Sequence, residues 1–110
     1  MDQIGKKLNI LFLEDNLTLR ISIEHILKSF EQNVFCFDNP EDLIDTFNDD
    51  YSSIDLLVSD INMPKMNGLQ FIHKLREDGY KFPVIIITSH RISELKKDNP
   101  NLDLLDIEVI

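Results

Sequence analysis

The stretch LLVSDINMPKMNG, residues 56–68, carries the strongest signal for the fold of this chain. It begins as an apolar run that is typical of a buried β-strand, and it places Asp60 where that run stops. Pro64 then fixes a backbone φ angle, and Gly68 permits conformations that other residues avoid. We therefore expect a loop of one defined shape behind an acid at a strand end. Such an acid is a candidate functional group if other polar groups meet it there.

Length and charge limit the classes of protein that this chain can belong to. Its 110 residues, 43% of them hydrophobic, suit one domain with one core. The formal net charge of −9 repels nucleic-acid phosphates, so we expect no direct binding of DNA or RNA. The same charge suits a protein that collects divalent cations or meets a basic partner surface.

The cysteine content and the N-terminal sequence predict a cytoplasmic protein. Cys36 is the single cysteine, which excludes an internal disulfide and fits a reducing compartment. It lies in the apolar stretch VFCF, where a buried core thiol is the favoured interpretation. The N-terminus lacks the pattern of a signal peptide, and the apolar runs are too short to span a bilayer.

Short apolar runs alternate with amphipathic stretches along the whole chain. Runs this apolar are typical of parallel strands that are covered on both faces by helices. The predicted strands are residues 8–13, 34–37, 54–58, 83–87 and 107–110. The order βαβαβαβαβ with short connections predicts an α/β fold with a doubly wound, parallel, five-stranded sheet.

Four helices are predicted between these strands. The first should begin after an Asn16 N-cap and bury one face, formed by Leu19, Ile23, Ile26, Leu27 and Phe30. The second follows an Asn39 N-cap with Pro40 at its first position, and the third runs from Gly68 to a closing Gly79. The fourth, residues 92–99, is short and polar.

Acidic and hydroxyl side chains follow three of the predicted strands. Glu14 and Asp15 follow the first strand, Asp60 follows the third, and Thr88 and Ser89 follow the fourth. Ligands of parallel α/β sheets bind beyond the carboxyl ends of the strands. We therefore expect these groups to form one site, although they are far apart in the sequence.

Three neighbouring carboxylates need a proton or a cation. Two like charges about 4 Å apart repel by roughly 4 kcal/mol at an effective dielectric constant near 20. Oxygen ligands without histidine or cysteine favour Mg²⁺, and a carboxylate beside such an ion can act as a nucleophile toward a phosphoryl group. The backbone carbonyl of Asn62 is our candidate for a further ligand, and the hydroxyl of Thr88 could donate to a phosphoryl oxygen.

These motifs resemble the receiver domain of bacterial response regulators. The resemblance rests on Glu14-Asp15, on DINMPKMNG with Asp60, and on Thr88-Ser89, and it covers nearly all of residues 8–110. It implies a flavodoxin-like strand order 2-1-3-4-5 and transfer of a phosphoryl group to Asp60 from a histidine kinase or phosphotransfer domain. It also implies Mg²⁺ held by Glu14, Asp15, Asp60 and the Asn62 carbonyl, with Thr88 as the residue that responds to phosphorylation.

The chain departs from this family pattern at its C-terminal end. The family has a lysine after the fifth strand and then a fifth helix, and residues 1–110 end before the place of either. We therefore expect residues 1–110 to be a receiver domain that is incomplete at its C-terminus. A degenerate receiver that binds partners without phosphorylation is the alternative. A phosphatase of the haloacid dehalogenase type is disfavoured, because Asn62 replaces the acid that it needs.

Two further expectations concern the rim of the site and the missing helix. His90 follows Thr88 closely, at a position that in the family tunes the lifetime of the phosphoryl group. Without a fifth helix, apolar surface on one face of the sheet should be uncovered, which favours self-association, including a homodimer. The resemblance implies a signalling protein and no enzyme with a separate substrate.

Overall fold

Strands and helices alternate from residue 9 to residue 87, as the sequence predicts. The computed structural model describes residues 7–60, 68–87, 97 and 107–109. Within them the strands are β1 (Asn9–Leu13), β2 (Asn33–Phe37), β3 (Leu56–Asp60), β4 (Val84–Ile87) and β5 (Glu108–Val109), and the helices are α1 (Leu17–Ser29), α2 (Pro40–Phe47) and α3 (Gly68–Glu77). The predicted fourth helix, residues 92–99, lies outside the described residues except for Lys97.

The five strands form one parallel sheet in the order β2-β1-β3-β4-β5, which confirms the order implied by the family resemblance. β1 and β3 lie side by side at the centre, with Leu13 opposite Ser59. β3 is also paired with β4, and Asp60 is opposite Ile87. The sheet therefore brings the carboxyl ends of β1, β3 and β4 together.

The third strand was predicted two residues too early. Ile54 is buried but precedes the strand, because its N–H donates to the Tyr51 carbonyl in a turn. The strand instead continues through Ser59 to Asp60. Ser59 is fully buried in spite of its hydroxyl, which donates to the Asp60 carbonyl. Asp60 is thus the last residue of a paired strand, and its backbone is held by the sheet.

The predicted helix caps are present. The side chain of Asn16 accepts a hydrogen bond from the Leu19 N–H at 2.9 Å, and Asn39 accepts one from the Asp42 N–H at 2.8 Å. Gly79 follows α3 with a φ of +92°, a conformation that a residue with a Cβ rarely adopts. These capping residues determine where α1, α2 and α3 begin or end.

The two faces of the sheet are packed unequally. Among the described residues, the α2/α3 face carries twelve that are buried: Leu11, Leu13, Leu43, Tyr51, Ile54, Leu57, Leu69, Phe71, Ile72, Leu75, Val84 and Ile86. On the opposite side, which we call the α1 face, the described part of the chain has three buried residues: Ile10, Phe12 and Val58. Side chains alternate between the faces along each strand, so neighbours such as Ile85 and Ile86 belong to different faces.

The predicted buried face of α1 is only partly confirmed. Ile23 and Leu27 pack on the α1 face, but no residue of the helix is fully buried. Leu19, Ile26 and Phe30 are 38%, 53% and 69% exposed. The apolar arc of this helix is wider than the part of the helix that the sheet contacts, so one flank of the arc remains exposed.

Cys36 is less buried than predicted, because it lies on the edge strand β2 under the same helix. Burial nevertheless raises the pKa of its thiol to about 11, and the neighbouring Glu24 carboxylate acts in the same direction. The thiol is therefore protonated at neutral pH and unreactive as a nucleophile.

Candidate functional site

The acidic residues that follow β1 and end β3 lie beside each other at the carboxyl edge of the sheet. Leu13 is opposite Ser59, so the next residues along the two parallel strands are Glu14 and Asp60. One carboxylate oxygen from each of Glu14, Asp15 and Asp60 lies within 4.8 Å of the other two. We call these three residues the acid cluster. The structure therefore brings together residues that are 45 or more positions apart, as their strand-end positions predict.

The three carboxylates of the acid cluster differ in their access to solvent. Glu14 is 2% exposed, Asp60 is intermediate and Asp15 is exposed. The cluster is therefore open on one side and closed on the other. A small cation could enter from solvent and still reach the buried carboxylate of Glu14.

Hydrogen bonds to Phe37, Asn16 and Arg20 hold the backbone and side chain of Glu14. Its N–H donates to the Phe37 carbonyl at 3.0 Å, which continues the contact between β1 and β2. Its carboxylate Oε2 accepts from the Asn16 N–H at 3.0 Å. Its own carbonyl accepts from the Arg20 guanidinium at 2.9 Å. The loop between β1 and α1 is thereby fastened to β2 and to the helix that it leads into.

Burial raises the pKa of Glu14 from 4.5 to about 7. The hydrogen bond from the Asn16 N–H opposes this shift, while the negative charge of Asp60 and hydrogen bonds with Asp60 and Asp15 add to it. Near neutral pH the cluster therefore holds a proton for part of the time. A divalent cation would remove that need, and its binding would release the proton.

The chemistry of the donor set fits a magnesium ion. All three side chains offer carboxylate oxygens, which are hard ligands, and one of them remains open to water. Mg²⁺ keeps several water ligands and is commonly bound by one to three protein oxygens together with phosphate. Among the residues that the structure describes, no cysteine or histidine, which would favour zinc, joins the cluster.

Several residues of the predicted site lie outside the described residues. They are Asn62, Thr88, Ser89 and His90. Their predicted roles as metal ligand, phosphoryl contact and lifetime determinant therefore stay predictions. The described strand β4 ends at Ile87, opposite Asp60, so Thr88 is the next residue in the sequence.

Sequence reasoning missed the contact of Arg20 with the site. Arg20 lies on α1, and an arginine on a solvated helix gives no signal that it reaches back to the preceding loop. The second role of Asn16 was also missed. Its side chain caps α1 as predicted, while its backbone N–H binds the Glu14 carboxylate.

The parallel sheet and the acid cluster at its carboxyl edge define a doubly wound α/β protein with a candidate cation site. A family model described as the response regulator receiver domain matches residues 10–108. The chain belongs to this family, whose members act as phosphoacceptor signalling domains of two-component systems.

Individual relatives agree with this assignment. The chain is 35% identical to the transcriptional regulatory protein CiaR of Streptococcus pneumoniae over 82 residues. The aligned region covers 74% of this chain and 35% of that protein. It thus spans about a third of the length of that relative. None of the helices in the described part of the chain is long and apolar enough to cross a membrane.

Solved structures share the fold. The chemotaxis protein CheY4 of Vibrio cholerae superposes with a TM-score of 0.77 at 22% identity, over 94% of this chain and 84% of that one. The CheY of a CheX-CheY complex from Borrelia burgdorferi, which contains BeF3 and Mg²⁺, superposes with a TM-score of 0.79 at 24% identity, over 96% of this chain and 78% of that one.

Proposed function

We propose that this chain is a phosphoacceptor switch in which Asp60 takes a phosphoryl group from a phosphohistidine in a Mg²⁺-dependent reaction. The observation that carries the proposal is the acid cluster, in which Asp60 is the one member at the end of a central strand. Asp60 is paired with Ile87 of β4, and the preceding Ser59 is paired with Leu13 of β1, so the Asp60 carboxylate has a defined place while one side of the cluster stays open.

The transfer is a substitution at phosphorus. A carboxylate oxygen of Asp60 forms a bond to the phosphorus, while the bond between phosphorus and the imidazole nitrogen of the donor histidine breaks. The leaving imidazole takes up a proton, and the product is an aspartyl phosphate. The donor would be a histidine kinase or a phosphotransfer domain, because receiver domains of this family interact with such proteins.

Glu14, Asp15 and Asp60 would hold the magnesium ion, with the Asn62 carbonyl as a further ligand. The ion supplies positive charge that offsets the charge on the transferred phosphoryl oxygens. Glu14 would bind in its ionised form and lose the proton that burial now favours. The Mg²⁺ and BeF3 in the Borrelia burgdorferi complex support this proposal by analogy of fold.

Phosphorylation would change partner binding by shifting a two-state equilibrium. We assign the response to Thr88, whose hydroxyl would contact the phosphoryl group after β4, and the tuning of its lifetime to Asn62 and His90. These roles follow from the match of residues with the family motif. We also propose that residues 1–110 form one receiver domain and that its switch controls a partner protein.

Intact mass spectrometry tests the proposal. The chain is incubated with acetyl phosphate and Mg²⁺, and we expect a single added phosphoryl group that is absent from Asp60→Asn and from samples with EDTA. Asp45→Asn, which removes an exposed carboxylate of α2, is the matched control and should be phosphorylated like the wild type.

Two results would contradict the proposal. One is a wild-type chain that gains no phosphoryl mass, and the other is equal gain in Asp60→Asn. The first result would favour the alternative of an interaction module that acts without phosphorylation.

A further inference from the structure

The side chain of Arg20 connects α1 to the backbone of the acid cluster. Its guanidinium donates to the Glu14 carbonyl at 2.9 Å, and the contact is partly buried. The Arg20 N–H also donates to the Asn16 carbonyl at 2.9 Å, as part of the first turn of α1. Arg20 therefore makes two hydrogen bonds to the loop 14–16, one from its main chain and one from its side chain.

In the part of the chain that the structure describes, the Arg20 guanidinium binds a main-chain carbonyl and no carboxylate. Among the described residues, the ion pairs join lysines to acids, and Arg20 is in none of them. Its charge is therefore not used to neutralise the acid cluster directly. The hydrogen bond from Arg20 holds the peptide group between Glu14 and Asp15. Both of these residues contribute carboxylates to the acid cluster.

We propose that Arg20 is a positioning residue for the proposed magnesium site, and that its hydrogen bond to the Glu14 carbonyl keeps the carboxylates of Glu14 and Asp15 at the spacing that the ion needs. The inference rests on the proposed function, since it concerns the same ion. Outer partners that orient metal ligands typically change metal affinity by 10–100-fold when they are removed. We expect an effect at the lower end of this range, because the Glu14 carboxylate keeps its bond to the Asn16 N–H.

If Arg20 acts through its charge, a neutral substitution should strengthen Mg²⁺ binding, and if it acts by positioning the loop, the same substitution should weaken it. A guanidinium near the site repels a cation, so Arg20→Met would strengthen Mg²⁺ binding if charge were the whole effect. Loss of positioning weakens binding instead. Arg20→Lys keeps the charge and a donor for a single carbonyl acceptor, and it should therefore restore the wild-type behaviour.

Arg76 is a matched control at the opposite edge of the sheet. Its guanidinium also donates to main-chain carbonyls, those of Tyr80 at 3.0 Å and Phe82 at 2.9 Å. These residues precede β4, so they lie at the amino end of the strands, away from the acid cluster. Arg76→Met should destabilise the fold without changing the metal site.

The test is calorimetric titration of the 110-residue chain with Mg²⁺ alone at pH 8. We expect Arg20→Met to weaken binding about tenfold. Arg20→Lys should stay within about threefold of the wild type. Arg76→Met should be unchanged. Arg20→Gln, whose side chain is too short to keep the contact, is a second neutral variant and should behave like Arg20→Met if the latter fails to fold.

Each result has one meaning. Unchanged or tighter Mg²⁺ binding by the neutral Arg20 variants overturns the inference. The proposed function still stands in that case, because the wild-type chain binds Mg²⁺. Equal weakening in Arg20→Lys and Arg76→Met also overturns it, because that pattern reflects general loss of the fold. A wild-type chain that binds no Mg²⁺ would overturn the proposed function itself, and the inference with it.

Discussion

The two faces of the sheet differ in how completely they exclude water. In the part of the chain that the structure describes, the α2/α3 face is closed by α2, α3 and an aromatic group around Tyr51, whose ring contacts Phe47, Phe71 and Tyr80 at centroid distances of 5.8, 5.9 and 5.3 Å. Within the same described residues, the α1 face is covered by α1, which exposes much of its own apolar surface. Stability is therefore concentrated on one face, while the loop that carries Glu14 and Asp15 leads into the helix on the other.

Adjacent isoleucines of β4 give the most direct test of this difference. Ile86 is fully buried on the α2/α3 face, and Ile85 is partly exposed on the α1 face. We expect Ile86→Ala to lower the free energy of unfolding by about 3 kcal/mol and Ile85→Ala to lower it by about 1 kcal/mol. Urea denaturation measures both, and equal losses would show that the two faces contribute alike.

The pH dependence of the free energy of unfolding tests how much the ionised, buried carboxylate of Glu14 destabilises the fold. Because the pKa of Glu14 is raised to about 7 in the folded state, folding favours its protonated form. The associated stability is present at pH 4 to 5 and is lost as pH rises through 7. Relative to wild type, Glu14→Gln should therefore gain on the order of 1 kcal/mol between pH 5 and pH 8 in EDTA.

The control for this prediction is Asp45→Asn, which removes an exposed carboxylate of α2 far from the cluster in sequence. Thermal melts of the three proteins across this pH range are sufficient. A constant difference between Glu14→Gln and wild type would mean that Glu14 titrates normally in the folded protein.

Two tyrosines on the α2/α3 face differ in whether their hydroxyl groups have hydrogen-bond partners. The Tyr51 hydroxyl is buried and finds no hydrogen-bond partner in the described structure, whereas the Tyr80 hydroxyl accepts from the Tyr51 N–H and donates to the Asp49 carbonyl. Tyr80→Phe should cost about 1 kcal/mol, while Tyr51→Phe should be neutral or stabilising by up to about 1 kcal/mol. Chemical denaturation of both variants decides this, and a large loss in Tyr51→Phe would refute the assignment.

The smallest expected effect on stability is at the exposed flank of α1. Ile26→Gln should change the free energy of unfolding by no more than about 0.5 kcal/mol, because the side chain is half exposed. It should nevertheless reduce self-association, because the exposed apolar flank of α1 adds to the apolar surface of the sheet that we expect to drive it. Light scattering over a range of concentrations measures this, with Ser22→Gln on the same helix as the control. A wild-type chain that stays monomeric throughout would contradict the expectation.

The fold was predictable because local patterns and tertiary structure agree at most positions. The apolar run before Asp60, the caps Asn16 and Asn39, and the closing Gly79 each act within a few residues. The end of β3 was not predictable from apolar character, since Ser59 and Asp60 belong to the strand and Ile54 does not. Only pairing with β1 and β4 explains that shift.

The sequence predicted which described acids form the candidate site, but it did not predict how deeply each one is buried or how its pKa is shifted. Strand-end positions were enough to predict that Glu14, Asp15 and Asp60 meet. They could not indicate that Glu14 is the buried member or that its pKa is raised to about 7, because burial depends on what packs around the carboxylate. The contact of Arg20 with the loop likewise depends on how α1 lies on the sheet.

By itself, the sequence determined the order of strands and helices, their caps and the edge of the sheet at which the acids gather, because these depend on local preferences and on the rule that parallel strands share one carboxyl end. Only the tertiary structure decided which carboxylate is buried, which flank of α1 stays exposed and which side chain holds the loop. Those outcomes depend on contacts between segments that are distant in the chain, and a local pattern carries no information about such contacts.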